Sequence, residues 1–304
     1  MEKATIIQIT GLTKRYGAQA AIEDVDFAVE QGEVVGFVGL NGAGKSTTIN
    51  AMLGFIRPTR GSIELFEQKV LPQTAHVTHQ RIGFASGDMA LFDHLTGAQY
   101  LNFLSHRYLV DTQARTAELC SRFNPQLHKK ISSLSRGNKQ KIALITAFMA
   151  SPELVVLDEP TSGLDPFMQE AFLRLVREES QRGTTIFMSS HYLHEVADVC
   201  SRVLLMRQGK LVKDISAQQL LAASGKSVRV VTHHQVTPPR NAEKVVNAPV
   251  EKGYELTFIY KDTPAKLHQW FMGVPGIVDF VITDHDVEAA FSEVYARDAG
   301  GNDA

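Results

Sequence analysis

The chain has 304 residues, of which 44% are hydrophobic and 21% charged, with a net charge of -2. That is enough for one large domain and a small one, and the near-neutral balance gives no reason to expect a polyanion, so no nucleic-acid partner is expected. Its two cysteines, Cys120 and Cys200, exclude a disulfide framework and read as buried thiols in a reducing compartment.

The opening MEKATIIQIT lacks the basic segment and long apolar core of a signal peptide. The longest strongly apolar run, residues 142–150, is about half of the roughly 18 residues that a membrane span needs. The expectation is a soluble chain that borrows any membrane role from a partner.

In chain order, residues 5–10 are short and β-branched, and residues 22–29 alternate apolar and polar, so both read as strands. Residues 34–38 form a continuous apolar run, the pattern of a buried strand. A glycine-rich turn and a helix over 46–54 follow. Residues 97–150 recur at helical spacing in three stretches, a helical block inserted between strand regions. Strands resume at 154–157 and 185–189, with a helix over 166–181 between them. Residues 203–206 and 211–213 flank Gln208-Gly209, a hairpin turn. Residues 222–225, AASG, read as a linker. Beyond it come strands at 228–232, 254–260 and 277–282, helices over 264–272 and 287–295, and a frayed tail at 298–304. The chain therefore divides into residues 1–221 and a small α+β domain, 222–304, which carries no catalytic or metal-binding constellation.

The turn GLNGAGKST, residues 39–47, matches G-x-x-x-x-G-K-[ST] between a strand and a helix. Gly39, Gly42 and Gly44 let the backbone curl so that its N–H groups point at phosphate oxygens. The helix N-terminus adds partial positive charge. Lys45 would reach the β- and γ-phosphates, and Ser46 would ligate Mg²⁺. With Asn41 and Thr47 these residues form the candidate ATP loop. LVVLDEP, residues 154–160, is an apolar strand ending in two carboxylates. Asp158 is placed on the magnesium side, and Glu159 is a candidate to polarise the attacking water. His191 follows the next strand and is read as a γ-phosphate contact.

LSRGNKQK, residues 134–141, taken with the phosphate loop and the LDEP tip, resembles the signature of the ATP-binding cassette (ABC) ATPases. GLTKRYG, residues 11–17, is similar to their adenine-stacking loop, with Tyr16 as the platform. SGLDP, residues 162–166, resembles the loop that crosses to a second subunit, and SSHYLHE, residues 189–195, the switch-histidine segment. The resemblance covers about residues 5–220. It implies a P-loop α/β cassette with an antiparallel β subdomain and a helical subdomain inserted at about 88–150. It also implies that Ser135, Gly137 and Asp165 contact ATP held by a partner cassette, with two ATPs sandwiched in a homodimer or a pair with a sister chain. It implies an ATPase subunit at the cytoplasmic face of a membrane, driving a separate permease of the ABC-2 exporter type, docked near residues 84–95. Met89, Ala90, Leu91 and Phe92 are an apolar run there.

One expected residue is missing. In the family, the loop at RIGFASGDMALFDHLTG, residues 81–97, carries a glutamine that touches Mg²⁺ and the attacking water. Here that position is Gly87. Asp88 takes the role, water takes it, or the cassette is catalytically weak.

Overall fold

The computed structural model describes residues 3–284, apart from the side chains of 193–194, 221–224 and 284. The helix expected over 287–295 and the tail 298–304 lie outside these residues. The chain divides into two compact units, with the break between Ile215 and Ser216.

The first unit starts with two long strands, β1 (Thr5–Tyr16) and β2 (Gln19–Glu30), then β3 (Val34–Val38) and α1 (Lys45–Met52). β4 (Arg60–Leu65), β5 (Gln68–Lys69), the short α2 (Ala75–His79) and β6 (Ile82–Ser86) follow. The inserted block is α3 (Gly97–Ser105), α4 (Gln113–Phe123), a single 3-10 turn and α5 (Arg136–Phe148). Residues 88–96, assigned to the block from sequence, lead into α3 without regular structure. Next come β7 (Leu154–Asp158), α6 (Pro166–Gln181), β8 (Thr185–Ser190), α7 (Leu193–Val199), β9 (Arg202–Arg207) and β10 (Lys210–Ser216).

Two sheets result. The smaller is antiparallel, in the order β2-β1-β4-β5. The larger runs β10-β9-β3-β8-β7-β6, and its pairs from β9 to β6 are parallel. β3, β7 and β8 are buried along their whole length, as continuous apolar runs in parallel sheets must be. The sheets share one core. The Phe27 ring of the small sheet lies 5.9 Å from Phe37 and 5.7 Å from Phe187 of the large one. Gln208 and Gly209 have φ of 47° and 81°, the double positive φ that a tight hairpin turn needs.

The second unit begins with α8 (Ala217–Ser224), followed by β11 (Lys226–Thr232), β12 (Ala242–Val250), β13 (Gly253–Tyr260), α9 (Pro264–Met272) and β14 (Ile277–Asp284). Its antiparallel sheet has the order β12-β13-β11-β14. Val228, Val230, Leu256, Phe258, Tyr260 and Leu267 form its core. The expected domain boundary is corrected here. Residues 222–224, read as a linker, close α8. Ser216 starts that helix with a capping box, its hydroxyl accepting from Gln219 N–H while the Gln219 side chain takes the Ser216 N–H. Alanines followed by a glycine mark a helix end as readily as a linker, and Gly225, at φ 79°, supplies that end.

Candidate active site

β3 ends at Val38, and its neighbours end level with it. Val38 pairs with Ser190 of β8, and Asp158 of β7 with Ser189. Three chain segments therefore leave one sheet edge together, carrying the 39–44 loop, Glu159 and His191. The carboxyl ends of parallel strands are where this class of fold places ligands.

The loop turns through Gly44 at φ 103°, and a Cβ there would lie 2.7 Å from the Ala21 carbonyl oxygen, so glycine is required before α1. α1 starts at Lys45, and its unpaired N–H groups face the loop. Lys45 is 5% exposed. Its Nζ donates to the carbonyls of Gly39 at 2.7 Å and Leu40 at 3.4 Å and stands 3.5 Å from Glu159 Oε1. Asn41, Gly42 and Ser46 are exposed, and Thr47 is half-buried. A buried ammonium held on the carbonyls of a glycine-rich loop at a helix N-terminus is suited to meet an anion.

Asp158 and Glu159 have different surroundings. Asp158 is buried, and Ser189 donates to its Oδ1 at 2.5 Å. The same Ser189 oxygen accepts from the Glu159 N–H at 3.0 Å. Glu159 has φ 50°, a left-handed conformation that costs a non-glycine residue about 1–3 kcal/mol and persists where neighbours hold it. Its side chain reaches both Lys45 and His191. His191 Nδ1 lies 3.3 Å from Glu159 Oε2 but without hydrogen-bond alignment, so this buried ring nitrogen has no partner.

The remaining expected residues stand apart from the loop. Ser135 is exposed and caps α5, accepting from the Asn138 N–H at 3.4 Å and its side-chain amide at 3.2 Å. A Cβ on Gly137 would lie 2.6 Å from the Gly163 carbonyl oxygen, so the first turn of α5 rests directly on the 162–166 loop. Asp165 is also exposed and caps α6 through the Met168 N–H at 3.0 Å. Tyr16 ends β1 at 55% exposure, with the Lys14 ammonium 4.9 Å from its ring centroid.

Gly87 donates its N–H to the Asp158 carbonyl at 2.9 Å, so the loop with the missing glutamine does meet the strand edge that carries the two acids. Asp88 does not turn inward. It is nearly fully exposed and pairs with Arg136 Nη2, on the signature helix, at 3.1 Å. Leu91, read with its neighbours as an apolar run, is core, whereas Phe92 is exposed with Phe103 beside it at 5.6 Å. Burial raises the pKa of both thiols, that of Cys200 strongly; Cys120 is half-buried rather than fully so.

Sequence reasoning missed Ser189, which ties the two acids, and Gln140, whose amide donates to the Pro160 carbonyl at 2.8 Å. The only signal for Ser189 was the paired serine before His191.

No described helix is long and apolar enough to cross a membrane. Residues 22–162 match the family model described as ABC transporter. The chain is 34% identical over 223 residues to the bacitracin transport ATP-binding protein BcrA of Bacillus licheniformis, covering 71% of this chain and 72% of that protein. It is 30% identical over 281 residues to the Nod factor export ATP-binding protein I of Burkholderia pseudomallei, covering 89% and 91%. A solved ATP-binding subunit of an ABC transporter superposes with a TM-score of 0.65 at 30% identity, covering 71% of this chain and 91% of that one. The chain belongs to the ABC transporter family, as one of its ATP-binding, ATP-hydrolysing cassette proteins.

Proposed function

We infer that this chain drives a separate export permease by closing on, and hydrolysing, ATP between two cassettes. The observation that carries the reading is the convergence of Lys45, Asp158, Glu159 and His191 at one strand edge, while Ser135 stands exposed and Gly137 half-buried at the start of α5.

The adenine stacks on Tyr16. The phosphates lie in the loop of Gly39, Asn41, Gly42, Gly44, Ser46 and Thr47, and Lys45 leaves its carbonyls for the β- and γ-oxygens. Glu159 aligns and deprotonates the attacking water. The unpartnered Nδ1 of His191 turns to the γ-phosphate. Ser46 and the free oxygen of Asp158 suit Mg²⁺, which is commonly held by one or two protein groups, phosphates and water. Among the described residues, no group of three or more His, Cys, Asp or Glu forms a cage that would hold a metal without the nucleotide. When bound, the ion neutralises charge on the transferring phosphoryl group. Water fills the position opposite Gly87, since Asp88 is engaged by Arg136.

Ser135, Gly137 and Asp165 cap the γ-phosphate of the partner cassette, so each site is complete only in the dimer. The permease docks beside Phe84, Phe55 and Phe92. Phe55 and Phe92 are exposed aromatics, Phe55 edge-on to Phe84 and Phe92 beside the exposed Phe103. The names of the relatives support export; cargo selection belongs to the permease.

Gentle membrane solubilisation of the tagged chain tests this. A stoichiometric multi-span partner is expected. A pull-down of ribosomes, nucleic acid or nothing overturns the transport reading.

A further inference from the structure

The segments carrying Glu159 and His191 are fastened to each other by a residue that the chemistry above does not use. Glu195 lies on α7 and is 4% exposed. Its Oε2 accepts two hydrogen bonds, one from Thr161 Oγ1 and one from Ser190 Oγ, each at 2.9 Å. Thr161 is two residues after Glu159, and Ser190 immediately precedes His191. Both hydroxyls are themselves buried, at 5% and 2% exposure.

The arrangement is a two-armed clamp. A carboxylate is costly to bury and is tolerated where it is hydrogen-bonded. Hydrogen bonds to a charged acceptor are also about twice as strong as neutral ones. Ser190 Oγ accepts the Tyr192 N–H at 2.9 Å while it donates to Glu195, which fixes the turn holding His191. On the other side, Glu159 sits at its strained φ of 50° in a segment held at three points. Its own N–H is held by Ser189, the Pro160 carbonyl by Gln140, and the Thr161 hydroxyl by Glu195. The third point links this segment to the histidine turn through one buried side chain that touches a hydroxyl on each.

We propose that Glu195 is a positioning residue for ATP hydrolysis: one buried carboxylate oxygen holds the Glu159 segment and the His191 turn in register, so that both close on the γ-phosphate as a unit. The proposal rests on Glu159 and His191 being the hydrolytic pair. Displacement of a reacting group by about 1 Å costs about 100-fold in rate, which sets the size of effect available to such a residue.

The test uses the full chain, with phosphate release and the affinity for a fluorescent ATP analogue measured side by side. Glu195→Ala should lower kcat by about 10- to 100-fold while ATP affinity stays within about twofold. Glu195→Gln offers an amide oxygen to the same two hydroxyls and should recover most of that loss. Thr161→Val removes one arm at constant volume and should lower kcat several-fold. Combined with Glu195→Ala, it should add little, because both act on one network. Parental kcat in Glu195→Ala, a parallel loss of ATP affinity, or a Gln variant as slow as the Ala variant overturns the proposal. If Glu195→Ala does not fold, Thr161→Val decides alone: parental kcat overturns the clamp. Glu159→Gln separates the two levels. If it is inactive while Glu195→Ala is normal, only the clamp fails. If it turns over normally, the hydrolytic pair itself is wrong.

Discussion

The two units spend their buried polar groups differently. In the cassette, Lys45, Asp158, Thr161, Ser189, Ser190 and Glu195 are all buried, and all lie at or next to one edge of the large sheet. In the described part of the second unit, Thr232 is the sole buried polar residue, and charged pairs such as Arg229 with Glu255 and Asp279 lie on its surface. Burying polar groups costs free energy unless they are paired; these six sit together at that edge, whereas Glu179, also buried, is paired with Arg115 and Arg182 elsewhere in the cassette. The second unit is packed around an apolar core.

The comparison can be tested from both sides. The largest effect is expected from Glu159→Gln, which should lower phosphate release by about 10²- to 10⁴-fold while leaving ATP binding and Tm unchanged. Loss of binding would mean that the buried cluster is a folding element. Phe258→Ala in the second unit addresses the other side. Phe258 is 2% exposed and packs edge-on to Trp270 at 5.3 Å. Its truncation should destabilise that unit by about 3–5 kcal/mol, seen by calorimetry as an earlier separate transition, with turnover unchanged at low temperature. A proportionate loss of turnover would show that the second unit takes part in the chemistry.

Gly137→Ala is expected to act more modestly. The added Cβ, 2.6 Å from the Gly163 oxygen, must push the first turn of α5 off the 162–166 loop. A strain of about 1–2 kcal/mol should weaken ATP-dependent dimerisation about tenfold in analytical ultracentrifugation, with monomer ATP binding retained. Equal dimerisation would remove this turn from the interface.

The smallest effect concerns the join between α4 and α6. Hydrogen bonds from the Arg122 guanidinium, with its charge, hold the Glu178 carboxyl below the usual carboxylate range. A lowered folded pKa gives stability that is present above the ordinary glutamate value of about 4.3 and is lost as pH falls through the folded one. Glu178 is 41% exposed, so screening limits the contribution to about 0.5 kcal/mol. Acid titration of the parent should lose that increment below about pH 4, and Glu178→Gln should not show it.

Much of the candidate site was legible because its chemistry is local. A phosphate loop needs glycines, a lysine and a hydroxyl within nine residues between a strand and a helix, and 39–47 has them. Helices 166–181 and 264–272 were legible to the residue because proline at the first turn and an apolar period fix them. β4 and β12 were missed. β4 carries Arg60 and Gly61 at its start, and β12 holds a proline and is exposed along much of its length, so neither shows the alternation of a half-buried strand.

Sequence by itself determined the family, the glycine-rich loop before α1 and the two acids at a strand tip, because each depends on residues adjacent in the chain. Tertiary structure decided what acts between segments far apart in it. Asp88 faces Arg136, Ser189 joins the two acids, and Glu195 joins Thr161, two residues after Glu159, to Ser190, just before His191. The last two contacts exist only once parallel strands have brought their tips to one edge, and no local pattern encodes that register.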